Sequence, residues 1–233
     1  MNENRRLTLG DYFERIFVFI GLVVIVLIVQ IPLSFIGHYS QLGNLIAAAG
    51  YLVGFGVAIS VVIYCYRKYV QPPKRSFTGR NISMIFMAYG AFLAIEVILQ
   101  LLNQAVYHQQ STANNDVIYQ LMSSNRLTLI LMGVTAVFCS PILEETVFRG
   151  FLIGAFFKRN AKVAPMIVSG VLFAIPHMED LNIFSFLVYA SLGGILAFLY
   201  IRTNDIRVPI GLHFLNNLIA MGMMILQVSL TNH

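Results

Sequence analysis

Seven runs of apolar residues follow one another along this chain, at 16–36, 45–66, 83–102, 127–157, 163–177, 183–201 and 208–230, and they leave it few folds to choose from. A helix needs about 20 apolar residues to cross roughly 30 Å of hydrocarbon. The pattern therefore predicts an all-α polytopic membrane helix bundle of about seven spans. Composition agrees: 58% of the 233 residues are hydrophobic and 11% charged, with a mean hydropathy of +0.77, against roughly 45–50% apolar and about 25% charged in soluble domains. The first run is longer than the roughly 7 to 15 residues of a signal-peptide core, so it reads as a retained span. No Pro/Ser/Gly-rich linker interrupts the series and no internal repeat is found, so residues 1–233 read as a single integral membrane domain.

Basic residues sit in short clusters beside these runs: Arg5, Arg6 and Arg15; Arg67, Lys68, Lys74, Arg75 and Arg80; Lys158, Arg159 and Lys162; Arg202 and Arg207. That is the positive-inside pattern, and it places these segments and the N-terminus in the cytoplasm. The formal net charge of +5 is thus a topology signal, and nucleic-acid binding is excluded as its explanation. The stretch up to Asn125 that follows the third run carries a lone charge, Asp116, and reads as an outer polar loop. Cys65 and Cys139 lie in no metal- or redox-type spacing and read as packing residues. Gly50-x-x-x-Gly54, and the stripe Ala190, Ser191, Gly193, Gly194 and Ala197, read as surfaces for close helix contact. Glu96, in the third run with no motif around it, reads as a structural hydrogen-bonding residue.

The fourth run is unlike the others, because it holds Pro141-Ile-Leu-Glu144-Glu145-Thr-Val-Phe-Arg149-Gly150. A charge at the centre of a membrane helix costs roughly 2.5 to 3.5 kcal/mol on the insertion scale, so such residues mark function or a strong pairing. Glu145 and Arg149 stand at i and i+4 and pair on one helix face, while Glu144 points about 100° away and is left free. Reading one long, Pro141-kinked helix to Phe157 puts Glu144 about 21 Å from the basic cluster, and His177 lies about 22 Å along the fifth run. His213 lies only about 9 Å into the seventh run and Asn217 about 15 Å, a mismatch in depth that the sequence does not resolve. Two chemistries fit these residues. In hydrolysis a carboxylate takes a proton from water, an imidazole assists, and a His/Asn pair donates to an oxyanion. In a metal site, Glu and two His bind zinc with one position open.

Three short patterns in order, Glu144-Glu145-x-x-x-Arg149, Phe173-x-x-x-His177 and His213-x-x-x-Asn217, resemble the motifs of the CPBP family of intramembrane endopeptidases, also called the Abi family, which includes the type II CAAX prenyl endopeptidases. The resemblance covers residues 127–230 and departs from the pattern at no motif position. It implies an intramembrane active site in a bundle commonly described as eight membrane helices. Glu144 is then the water-activating base beside His177, His213 and Asn217 form the oxyanion hole, and Glu145, Arg149 and Phe173 support the site. A glutamate mechanism with no cofactor is the expected form and a zinc-dependent one the alternative, since a neutral Asn amide suits an oxyanion better than a metal. The implied partners are the lipid bilayer of a bacterial plasma membrane and a membrane-associated peptide or protein substrate, with roles in peptide maturation or bacteriocin self-immunity. The alternative from another class is a non-catalytic immunity or interaction protein of the same fold.

Overall fold

The computed structural model describes residues 8–231, and every regular element within them is helical. Arg5 and Arg6 lie outside the described residues. Helix α1, Leu9–Ile28, starts at a capping box in which Thr8 Oγ1 accepts from Asp11 N while the Thr8 backbone N–H donates to Asp11 Oδ2 at 2.7 Å. It gives way to a 3-10 turn at Ile31–Phe35, where Pro32 stands in the first turn and has no N–H to lose. Helix α2, Gln41–Val70, ends at Gln71 in the left-handed region (φ 50°), just before Pro72 and Pro73. Helix α3, Gly79–Tyr107, ends the same way at His108 (φ 58°). Helices α5, Arg126–Phe156, α6, Val163–Ala174 with a 3-10 turn to His177, α7, Ile183–Thr203, and α8, Arg207–Thr231, complete the apolar set.

All seven apolar runs form helices, and six of these helices are long and apolar enough to cross a membrane. The protein is thus an all-α polytopic integral membrane bundle. The fifth run departs from the expectation of a full span. Val163–His177 is a shorter helix, about 22 Å long, that tightens into a 3-10 turn at Pro176 and stops short of the roughly 30 Å hydrocarbon layer.

The outer polar loop is also corrected. Its second half is helix α4, Ala113–Ser124, capped by Thr112, whose Oγ1 accepts from Asn115 N. This helix is too polar to stand out as an apolar run, yet it buries Met122 and packs Ile118, Tyr119 and Leu121 on the core. With α4 the described residues hold eight helices.

Two glycine patterns meet different fates. A Cβ on Gly193 would lie 2.8 Å from Gly170 Cα, and one on Gly170 would lie 2.7 Å from the Ala190 carbonyl oxygen, so α6 and α7 touch backbone to backbone as the small-residue stripe predicts. Gly50 faces open space and Gly54 meets only Val29, so the Gly50/Gly54 spacing forms no tight helix contact in the described bundle.

Helix α5 is the axis of the molecule. It is continuous, as the long-helix reading expects, but it contains two π-helical stretches, Thr135–Cys139 and Thr146–Phe151, on either side of the α-helical turn Ser140–Glu145. Pro141 lacks the N–H that would bond back along an α-helix, and the wider π turn before it takes up the register. Val147, Phe148, Arg149 and Phe151 are fully buried or nearly so. Phe19 of α1 stacks on Phe151 and meets Phe148 and Phe156 edge-on, while Phe173 of α6 meets Phe148 edge-on. Near its end α5 runs directly against α2: a Cβ on Gly150 would lie 3.1 Å from the Tyr66 ring.

Candidate active site

The site grows out of the turn Ser140–Glu145 and the π stretch after it. Arg149 Nη1 donates to Glu145 Oε1 at 2.8 Å, the i, i+4 pair expected from spacing, with both side chains completely excluded from solvent. A buried ion pair needs further hydrogen bonds to offset the loss of hydration of both ions, and here they come from other helices. Arg149 Nη2 donates to the Gly193 carbonyl of α7 at 3.1 Å, and the guanidinium lies 4.3 Å from the centroid of the Phe173 ring of α6. His213 Nδ1 of α8 lies 2.9 Å from the same Glu145 Oε1. Because that oxygen already accepts from Arg149, it is a carboxylate acceptor, and His213 Nδ1 is the donor. One oxygen thus joins α5 to α8, and one arginine joins α5 to α7.

This bond answers the question of depth. His213 stands about six residues into α8 and Glu145 about eleven residues from the end of α5, so the two helix ends are staggered by about 7 Å along the bundle. Equal counting from the basic clusters misses the stagger because it assumes every helix begins in one plane.

Glu144 is buried, and its Oε2 has no hydrogen-bond partner in the protein, as is also true of Glu145 Oε2 and Arg149 Nε. Unpartnered buried oxygens on two adjacent carboxylates, only one of which is held by an ion pair, are the unusual feature of this core. His213, Glu145 and Arg149 are its charged or chargeable neighbours.

His177, at the end of the short helix, donates from Nδ1 to the Phe173 carbonyl at 2.8 Å. A carbonyl only accepts, so a hydrogen is on Nδ1, and in the neutral ring Nε2 is the acceptor nitrogen. The ring lies against Phe173 at 4.6 Å and stacks on Tyr189 of α7 at 4.7 Å, with planes 23° apart. Asn217 Nδ2 donates to the Ala136 carbonyl at 2.8 Å, in the first π stretch of α5, which uses one of its two amide hydrogens. Phe173 links the two imidazoles, lying edge-on to His213 at 5.8 Å.

The structure thus binds Glu145, Arg149, His213 and Phe173 into one network, seats His177 on the same Phe173 ring, and anchors Asn217 to the other end of the α5 turn. Residues that spacing does not single out complete the site. Gly193 supplies a carbonyl at a position where a side chain would strike Arg149, and Ala136 supplies the anchor for Asn217. Tyr189, itself buried, stacks on His177. Its hydroxyl is held at the start of α4, 2.9 Å from Thr112 Oγ1, with Asn114 Nδ2 donating to it at 3.1 Å. A helix invisible in the hydropathy pattern therefore fixes the ring that backs a candidate catalytic histidine.

Residues 126–219 match the family described as type II CAAX prenyl endopeptidase Rce1-like. Among curated proteins, the chain is similar to YdiL of Bacillus subtilis strain 168, assigned to the membrane peptidases by name only, with 36% identity over 37% of this chain and 34% of that protein. It is similar to YyaK of the same organism, an uncharacterized protein, with 28% identity over 71% of this chain and 54% of that one. It is also similar to the membrane-embedded CAAX protease MroQ of Staphylococcus aureus strain USA300, with 27% identity over 71% of this chain and 69% of that one. The chain therefore spans about a third of the first and about half of the second of these relatives. No solved structure matches.

Proposed function

We propose that the chain is an intramembrane endopeptidase of the CPBP family, a reading supported by the match of residues 126–219 and by the similarity to a membrane-embedded CAAX protease, and that it hydrolyses a peptide bond in a membrane-associated peptide or protein, with Glu144 as the base. The observation that carries this reading is the Glu144 carboxylate, buried and unpartnered at Oε2 next to a carboxylate that is held by both Arg149 and His213. Glu145 Oε2 is partner-free as well, but Glu145 Oε1 accepts from both Arg149 and His213, whereas no hydrogen bond among the described residues holds Glu144, which leaves Glu144 the carboxylate available to take a proton.

In the proposed reaction a water between Glu144 and His177 loses a proton to the Glu144 carboxylate, and its oxygen attacks the carbonyl carbon of the scissile bond. Nε2 of His177, left as an acceptor by the Nδ1 bond to Phe173, accepts a hydrogen bond from that water. The carbonyl oxygen becomes an oxyanion, and the second amide hydrogen of Asn217 and the Nε2–H of a protonated His213 donate to it. Glu145 accepts from Nδ1 and fixes the orientation of that ring, and Arg149 holds the Glu145 carboxylate in place. Collapse of the intermediate breaks the C–N bond, and Glu144 returns its proton to the leaving amine. A zinc-dependent form is the alternative; these steps use only this chain's own side chains and take none through a metal.

As substrate we take a small membrane-associated peptide, in maturation or in bacteriocin self-immunity, at a bacterial plasma membrane with the N-terminus cytoplasmic. The test compares peptide termini by mass spectrometry in membranes and medium of cells making the natural chain or Glu144→Ala at equal abundance. Specific ends that vanish in the variant support proteolysis and name the substrate. Identical profiles, with a phenotype seen only on deleting the whole protein, overturn it in favour of the non-catalytic immunity or interaction protein.

A further inference from the structure

Away from the buried site, two adjoining cavities open between the start of α3 and the end of α7. One, of about 400 Å³, is lined by Arg80, Met84, Met87, Ala88, Phe198 and Arg202. The other, of about 280 Å³, shares Arg80, Met84 and Arg202 and adds Arg75, Ser76 and Asp205. Arg80 is the second residue of one membrane-crossing helix and Arg202 the penultimate residue of another, so both guanidiniums stand where hydrocarbon gives way to headgroups.

Neither arginine makes an ion pair or hydrogen bond with a protein group among the described residues. Asp205, the acid in the second cavity, is already engaged by Arg207, which donates from Nε at 2.9 Å and from Nη2 at 2.6 Å. The positive N-terminal end of α3 adds to the same field. Below the two charges the wall turns apolar along Met84, Met87 and Ala88 of α3 and Phe198 of α7, with Met87 and Phe198 facing outward.

We propose that this groove binds an anionic phospholipid of the surrounding bilayer, with its phosphate between Arg80 and Arg202 and an acyl chain along Met87 and Phe198. The polarity sequence of the wall matches that of such a lipid: paired cations, then an apolar trough running into the membrane. A guanidinium forks onto phosphate oxygens in a way that a zwitterionic headgroup, carrying its own cation, satisfies less well. The proposal is independent of catalysis.

The experiment is native mass spectrometry of the purified protein released from nanodiscs of phosphatidylglycerol or phosphatidylcholine. The proteins compared are the natural chain, Arg80→Gln/Arg202→Gln, and Lys162→Gln as a charge control outside the groove. We expect a phosphatidylglycerol adduct on the natural chain and on Lys162→Gln, at least tenfold weaker in the double variant, and no comparable phosphatidylcholine adduct. Ala88→Trp fills the apolar trough while leaving both charges and should weaken the adduct too, which keeps the test decisive if the double variant does not fold. Equal adducts in all proteins, or equal retention of both lipids, overturn the proposal. So does displacement by free glycerol phosphate at the concentration at which the whole lipid binds, since the occupant is then a soluble anion.

Discussion

Helices α3 and α5 are nearly the same length, 29 and 31 residues, and both cross the membrane, yet 11% of the most apolar stretch of α3 is buried in the protein against 56% for α5. Lipid is the neighbour of most of α3, while α5 is surrounded by α1, α2, α6, α7 and α8. The difference teaches where a membrane protein can hold charge. Apolar side chains are interchangeable against lipid, and α3 carries only one cation, Arg80 at its start, and one half-buried carboxylate, Glu96, with no ion pair between them. An ion pair at membrane depth requires helices on every side to supply carbonyls, rings and imidazoles, and α5 alone has them.

The largest test of this contrast is Arg149→Met, which leaves Glu145 charged and buried opposite His213. It should cost about 3 to 5 kcal/mol in unfolding of the purified protein in micelles, and Arg149→Met/Glu145→Gln should recover much of that loss. Equal losses in the two variants would show that the cluster is held by packing alone.

The two glycines sharpen the contrast next. Gly193→Ala drives a methyl into the Gly170 backbone and the Arg149 guanidinium and should cost about 1 to 3 kcal/mol by thermal unfolding. Gly50→Ala, with nothing within 4 Å, should stabilise α2 by about 0.5 to 1 kcal/mol.

Ile98→Ala and Leu101→Ala on the lipid side of α3, 58% and 62% exposed, should each shift stability by less than about 0.5 kcal/mol in the same assay. A larger loss at either position would identify a protein contact on that face.

The smallest effect lies outside the membrane, at Asp205. Burial pushes its carboxyl up, but the hydrogen bonds and charge of Arg207 outweigh this and hold it below the usual carboxylate range. A depressed carboxylate stabilises the fold above its ordinary pKa and loses that contribution as pH falls through the folded value. Asp205→Asn should therefore melt slightly below the natural chain near neutrality, and the gap should close under acid. Because Arg207 is half exposed, the gap should also shrink in high salt.

What could be read from sequence divides along the same line. Apolar runs and the Glu145/Arg149 pair are properties of single helices, and the chain states them directly. The His213 to Glu145 bond depends on how far α8 is staggered against α5, which no single segment encodes. Helix α4 hides because it is polar and forms by capping at Thr112 and docking on the core. Tyr189 hides because stacking on His177 requires two helices to meet, and one tyrosine in an apolar run has many uses. The π stretches around Ser140–Glu145 leave no mark beyond Pro141. The three short motifs are legible because each sets fixed polar or aromatic residue types about one helical turn apart, while the carbonyls of Gly193 and Ala136 that hold them belong to backbone any residue carries.

The short helix α6 has a consequence for the membrane itself. Its outward side chains, from Val163 to Ile175, form an apolar wall only about 18 Å high beside neighbours that reach the full hydrocarbon thickness. A bilayer meeting a low wall bends to match it, at an elastic cost of fractions of a kcal/mol per Å. Where the bilayer thins to match this wall, headgroups and water come closer to His177, so the length of the lipid chains bears on access to the candidate site.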